Sequence, residues 1–268
     1  MSQSYVHGYD RHEAVRLQDQ ASTLEDLLHG DTFYPTGSSV LEAGCGIGAQ
    51  TVPLAQRSPG ARITAFDFSA ESLGLAERKA HDAGLANVRF LRADLEALPF
   101  RPASFDHVFV CFVLEHLPAP ARTLDGLRRL VRPGGTVTAI EGDHGSTYFH
   151  PDSEAARAAI ECQIELQRKA GGNALIGRQL YPLLEAAGCT EIRVTLRTVY
   201  VDGSRPDLAD GFTRRTFTAM IAGIREPAIA AGLTDPKRFD AGIAGLGRAA
   251  EPGGVFCYTF FKAVARVP

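Results

Sequence analysis

Paired cysteines are missing from this chain: its five, Cys45, Cys111, Cys162, Cys189 and Cys257, are scattered singly with no Cys-x-x-Cys spacing. An odd, dispersed set excludes a disulfide framework and a cysteine-rich zinc site, and suits small buried hydrophobes in a reducing compartment. No run approaches the ~20 apolar residues that a bilayer-spanning helix needs, and the stretch from Met1 to His7 has no apolar secretory core. The cytoplasm is therefore the expected location. A basic excess is absent too. The formal charge of −3 offers no broad positive field for a nucleic-acid backbone, so nucleic acid is not an expected partner. Internal repeats, low-complexity tracts and charged tails are also lacking, which removes the usual signs of an interaction scaffold.

What is present is enough to build a hydrophobic core. The 268 residues, 45% of them hydrophobic, can build one large α/β domain or a core with a cap. The organising stretch is Ser39-Val40-Leu41-Glu42-Ala43-Gly44-Cys45-Gly46-Ile47-Gly48. Val40 and Leu41 suit a buried strand, and three alternate glycines let the backbone turn and approach a ligand without a Cβ in the way. A helix starting near Ala49 would turn its free N–H groups toward that loop and favour a polar or acidic ligand group. The loose dinucleotide fingerprint is satisfied as well by Gly44-x-Gly46-x-x-Ala49, so the loop alone does not name the nucleotide. A second buried strand, Arg62 to Phe66, ends at Asp67, an acid placed to accept both hydroxyls of a ribose.

From residue 38 onward the pattern alternates. Strands are predicted at 40–43, 62–66, 88–92, 106–112 and 135–141, with helices at 49–57, 70–83 and 119–131 between them. Such alternation implies a parallel, doubly wound sheet with ligands at the carboxyl ends of the strands. Later come a helix over 153–170, a helix over 178–187, a strand over 191–201 and a last strand over 254–265, the last inserted antiparallel. The expected architecture is a seven-stranded, mostly parallel Rossmann-like sheet.

In this order, Leu41 to Gly48, Phe66-Asp67-Phe68-Ser69, Ala93-Asp94-Leu95-Glu96-Ala97-Leu98-Pro99-Phe100, Phe105-Asp106-His107-Val108, Val113-Leu114-Glu115-His116-Leu117 and Leu130 to Gly135 resemble the class I S-adenosylmethionine (SAM)-dependent methyltransferases. The closest group is the small-molecule one with a ubiquinone/menaquinone-methyltransferase-like core, and the likeness covers roughly residues 38–142. It implies SAM as cofactor, S-adenosylhomocysteine as product and a small-molecule methyl acceptor. Gly44, Cys45, Gly46 and Gly48 would admit the cofactor, and Glu42 would organise its amino-acid end. Asp67 would hold the ribose and Asp94 the adenine amino group, with Phe68 and Leu95 flanking the base. A local helix cap is the alternative role for Asp94. Cys111 and Phe112 would lie near the sulfonium.

Other expectations concern the acceptor. His116 serves either as a base or as a packing residue. After the fifth strand, 141–151 is expected to be an acid-rich loop in which Glu141, Asp143, His144, Tyr148 and His150 would bind an amine, orient a hydroxyl or remove a proton. It lacks the fixed spacing of a metal site, and no metal is expected. An N-terminal helix over 11–29, stopped by Gly30, either packs on the sheet or closes as a lid with Tyr5, Tyr9, Arg16 and Gln20 over the cofactor. The expected organisation is a lid over 1–37, a core over 38–202 and 251–268, and a helical insertion over 203–250. That insertion would roof the acceptor or form a homodimer contact.

Two other reactions compete. A nicotinamide oxidoreductase finds no Tyr-x-x-x-Lys pair here. SAM-dependent chemistry other than methylation, by aminocarboxypropyl transfer or by cyclisation releasing methylthioadenosine, uses the same cofactor loop. A non-catalytic SAM-binding protein is the remaining alternative.

Overall fold

The computed structural model describes residues 24–268, so the expected lid residues Tyr5, Tyr9, Arg16 and Gln20 lie outside the described residues. Helical residues 24–29 lead through Gly30 to β1 (Ser39–Ala43), α1 (Thr51–Arg57), β2 (Arg62–Asp67), α2 (Ala70–Asp82) and β3 (Val88–Arg92). Then follow β4 (Phe105–Cys111), α3 (Pro120–Arg129), β5 (Val131–His150), α4 (Glu154–Lys169), α5 (Leu180–Ala186) and β6 (Thr190–Val201). A mainly helical run from Pro206 includes α6 (Pro236–Arg248), and β7 (Val255–Arg266) closes the order.

The strands form one seven-stranded sheet in the order β3-β2-β1-β4-β5-β7-β6. β1 is parallel to β2 and β4, β2 to β3, and β4 to β5. β7 runs against β6: Glu191 meets Arg266, Thr195 meets Lys262 and Thr198 meets Thr259, so each advance on one strand is a retreat on the other. The direction of winding reverses between β1 and β4, the position at which open α/β sheets bind ligands beyond their strand ends.

The residues fall into two compact units. The first comprises 25–141, 176–196 and 261–268. Its core is made by strand residues that are apolar on both faces, such as Leu41, Phe66, Val108 and Val137, with Leu124, Leu127 and Leu184 from the covering helices. Each such side chain contributes about 1.5–3 kcal/mol by leaving water. Helix starts follow local rules: Ser69 accepts from the Ser72 amide at the head of α2, where Glu71 adds a favourable charge.

The second unit comprises 142–175 and 197–260, together with Leu24. Here α4 and α6 approach closely along glycines. A Cβ on Gly242 would stand 2.5 Å from the Ala155 carbonyl oxygen, and one on Gly245 would stand 2.6 Å from Ser153 Oγ. The insertion is helical as expected, but Ala209–Thr218 is a π-helix. Its i→i+5 repeat explains why Phe212 and Phe217, five apart, both bury their rings, with centroids 5.9 and 4.9 Å from Phe256.

Two local expectations need correction. Residues 141–151 are not a loop, because β5 continues unbroken to His150. Pairing explains the difference: Ser146 Oγ accepts from the Thr259 amide at 3.0 Å, and the His144 amide donates to Ala174, so partners override the weak strand propensity of Asp and Gly. The start of the expected 178–187 helix is instead a 3₁₀ turn, Ile176–Gln179, before α5. Among the described residues, no helix is long and apolar enough to cross a membrane.

Candidate functional site

The first unit gathers Glu42, Gly44, Cys45, Gly46, Gly48, Asp67, Phe68, Cys111, Phe112 and His116 at or just beyond the carboxyl ends of β1, β2 and β4, and holds Glu141 midway along β5. Asp94 and Leu95 follow β3. All three loop glycines have positive φ: +70° at Gly44, +51° at Gly46 and +76° at Gly48. The space around them differs. A Cβ on Gly44 would lie 2.7 Å from Val113 Cγ2, and one on Gly48 would lie 2.9 Å from the Ala76 Cβ. On Gly46 it would meet none of the described residues within 4 Å. Packing against the protein therefore demands glycine at two positions, whereas Gly46 presents bare backbone that no described residue covers.

Asp67 ties the tip of β2 to this loop. One carboxylate oxygen accepts from the Gly46 amide and the other from the Ser69 amide, each at 2.9 Å. Burial raises its pKa, while the amides of Ser69, Gly46 and Phe68 pull it back. Each carboxylate oxygen retains a lone pair for a donor such as a hydroxyl.

Beneath the loop, Glu42 is buried, and its Oε2 has no hydrogen-bond partner among the described residues. Burial pushes its pKa up to about 7; the Thr51 hydroxyl opposes the rise and the Asp67 charge adds to it. A buried carboxyl with a spare oxygen suits a cationic or hydrogen-bonding ligand group. Burial also drives the thiols of Cys45 and Cys111 well above their ordinary range, so neither is a ready nucleophile.

Farther out, Phe68 is half exposed and Leu95 is partly buried. Asp94 is exposed and uses one oxygen to accept from the Glu96 amide at 2.9 Å, which braces a local turn rather than the head of a helix.

At the end of β4 the chain enters a left-handed conformation at Phe112, with φ +58°, and then a 3₁₀ turn, Leu114–His116. That φ is uncommon for a bulky residue and stores strain. His116 Nε2 stands 3.7 Å from Glu115 Oε1. Glu141, expected on an open loop, is fully buried at the centre of β5, and its Oε1 accepts from the amides of Val113 and Leu114 at 3.1 and 2.8 Å.

Asp143, His144 and Tyr148 belong to the second unit. Asp143 is buried and accepts from the Gly145 amide, His144 is buried with Nδ1 2.8 Å from the Tyr258 hydroxyl, and Tyr148 is exposed. The pairing of His144 with Tyr258 escaped sequence reasoning, as did the bearing of Val113 on Gly44. Strand alternation in β7 marks Tyr258 as inward-facing, but nothing in the linear order joins it to His144. Among the described residues, no three His, Cys, Asp or Glu side chains cluster as metal ligands would.

This arrangement of loop, acid and turn has counterparts. The family described as "Methyltransferase domain" matches residues 41–139. Residues 41–139 are thus similar to a methyltransferase domain. An uncharacterized 37.1 kDa protein of transposon TN4556 from Streptomyces fradiae is 34% identical over 81% of this chain and 62% of its own length. A demethylmenaquinone methyltransferase from Bacillus subtilis is 33% identical over 50% of this chain and 58% of its own. This chain thus spans less than two thirds of both relatives. The methyltransferase fold is shared with phosphoethanolamine N-methyltransferase 2 of Haemonchus contortus, solved with S-adenosylhomocysteine. That structure has a TM-score of 0.56 at 19% identity, over 93% of this chain and 52% of that one.

Proposed function

We propose that the protein transfers a methyl group from SAM to a small-molecule acceptor. One observation carries the reading: within the stretch that matches a methyltransferase domain, the left-handed Gly46 has its amide held by Asp67 and its Cβ side clear of every described residue, while Glu42 at the end of β1 is buried with one oxygen unpartnered among the described residues. Gly44, Gly46 and Gly48 provide backbone that a cofactor approaches closely. Asp67 accepts from ribose hydroxyls, Asp94 from the adenine amino group, and Phe68 and Leu95 flank the base. Glu42 faces the amino-acid end, where an ammonium would favour its ionised form.

SAM supplies a methyl group already activated on sulfur. The protein's own contribution is then to orient the acceptor and exclude water, which together lower a barrier by as much as about 7–11 kcal/mol. A base is required only for an acceptor that must lose a proton, and His116, in the turn beyond β4, is our candidate for it. A small organic acceptor is supported by the Bacillus subtilis relative, whose name specifies demethylmenaquinone.

The test is mass spectrometry of the protein incubated with methyl-labelled SAM, with and without a metabolite extract. S-adenosylhomocysteine and a labelled metabolite that form only with extract are expected. Methylthioadenosine formed without an acceptor would replace methylation by attack within the cofactor, and absence of any cofactor turnover in both arms would leave a binding protein instead.

A further inference from the structure

Glu141 occupies the most protected position of any acid in the first unit, and nothing in methyl transfer obviously uses it. Its side chain is completely buried, yet one oxygen accepts two backbone amides from a different strand's exit, Val113 at 3.1 Å and Leu114 at 2.8 Å. The other oxygen, Oε2, is buried without a hydrogen-bond partner among the described residues. The recipient segment is itself unusual. Phe112 immediately precedes it in the left-handed region, and the 3₁₀ turn that follows supplies amides that no regular helix ladder would satisfy. Burial raises the pKa of Glu141 well above its usual range and the Glu115 charge adds to this, while the amides of Leu114, Val113 and Glu115 oppose it.

The held segment bears on the glycine loop. Val113 Cγ2 and Cγ1 lie 2.7 and 3.2 Å from where a Gly44 Cβ would be, so the isopropyl group fills the space that glycine leaves. Gly44 and Cys45 both donate to the Phe66 carbonyl, which fixes the other side of the loop. A shift of Val113 would thus be felt by Gly44 before any other loop residue.

We infer that Glu141 is a positioning residue: by accepting the Val113 and Leu114 amides it seats Val113 against Gly44 and holds the glycine loop in its ligand-ready form. The inference rests on the proposed SAM site, and assigns Glu141 to the cofactor rather than to acceptor chemistry. A neutral oxygen acceptor suffices for this role. Gln therefore replaces Glu141 functionally, whereas a residue of similar volume without an acceptor does not.

The experiment measures S-adenosylhomocysteine affinity by calorimetry, with melting temperature alongside, for wild type, Glu141→Gln, Glu141→Met and Val113→Ala. Binding by wild type tests the underlying reading; if wild type does not bind, that reading fails first. Given binding, Glu141→Gln should stay within about threefold of wild type and Glu141→Met should weaken affinity about tenfold or more, since two buried amides lose their acceptor. Val113→Ala should weaken it about fivefold, and the Met and Ala effects should be less than additive when combined. A folded Glu141→Met protein with wild-type affinity overturns the inference, because a purely structural carboxyl would move only the melting temperature. Should the Met variant not fold, Val113→Ala decides: unchanged affinity there overturns the inference equally.

Discussion

Replacing Gly46 with Ala separates ligand contact from protein packing within a single loop. The backbone at Gly46 has φ +51°, and Ala there bears the left-handed penalty of about 1–2 kcal/mol. No clash with the described residues adds to it, because none of them lies within 4 Å of the new Cβ. For a chain of this size the melting temperature should fall by roughly 2–8 °C. Gly48→Ala has the same backbone penalty at φ +76° and also forces a methyl group to 2.9 Å from the Ala76 Cβ and 3.0 Å from its Cα. Overpacking of that kind costs about 1–3 kcal/mol more. The two variants should therefore rank oppositely: Gly48→Ala melts lower, while Gly46→Ala loses more of the stabilisation that S-adenosylhomocysteine confers. Scanning calorimetry with and without saturating ligand reads both quantities, since ligand that binds only the native state raises its melting temperature. A Gly46→Ala protein that keeps the full ligand-induced rise would refute the cradle at Gly46, however well the family likeness holds.

Other consequences are equally open to measurement. Asp67→Ala should abolish detectable S-adenosylhomocysteine binding by calorimetry and, because the Gly46 and Ser69 amides lose their acceptor, lower stability by about 1–3 kcal/mol; retained affinity would remove the ribose assignment. Glu42, with its pKa raised to about 7, stays protonated when folded over a range in which the unfolded chain ionises. Its contribution is present below about pH 4.5 and is lost as pH rises through about 7, a swing on the order of 3 kcal/mol. Glu42→Gln should flatten this slope, so that urea denaturation shows the variant gaining on wild type between pH 5 and pH 8; parallel curves would mean that Glu42 titrates normally. In the second unit, Tyr258→Phe removes the hydroxyl that lies 2.8 Å from His144 Nδ1 and should cost about 1 kcal/mol in the same assay, and no change would show that this contact contributes nothing.

Much of the first unit was legible in the sequence because its elements announce themselves locally. Val40 and Leu41 before three alternate glycines, Asp67 at the end of an apolar run and Ser69 as a helix cap each work through neighbours within a few residues. Those features placed β1 to β4 and their helices nearly to the residue. The continuation of β5 past Glu141 was not legible, because its support comes from Thr259 and Ala174, far along the chain. The π-helical stretch was hidden for another reason: Phe212 and Phe217 fit a loose helical spacing, and only the hydrogen-bond pattern distinguishes a five-residue step. Glu141 shows the same limit at the level of a site. Its acidity drew it toward solvent chemistry in the reading of the sequence, whereas burial assigns its oxygen to Val113 and Leu114.

The length of β5 constrains how this protein can diversify. β5 runs over twenty residues, and beyond its irregular start, from Thr136 onward, neighbouring side chains point to opposite faces. Deleting or inserting one residue between Gly142 and His150 would exchange the facings of everything beyond the lesion and break its match with β7. Gly142 tightens the restriction, since a Cβ there would lie 2.3 Å from the Tyr258 hydroxyl. Lineages descending from such a chain should therefore change this stretch by substitution at fixed length, and confine their insertions to the turns between helices after Val201, where no strand register has to be preserved.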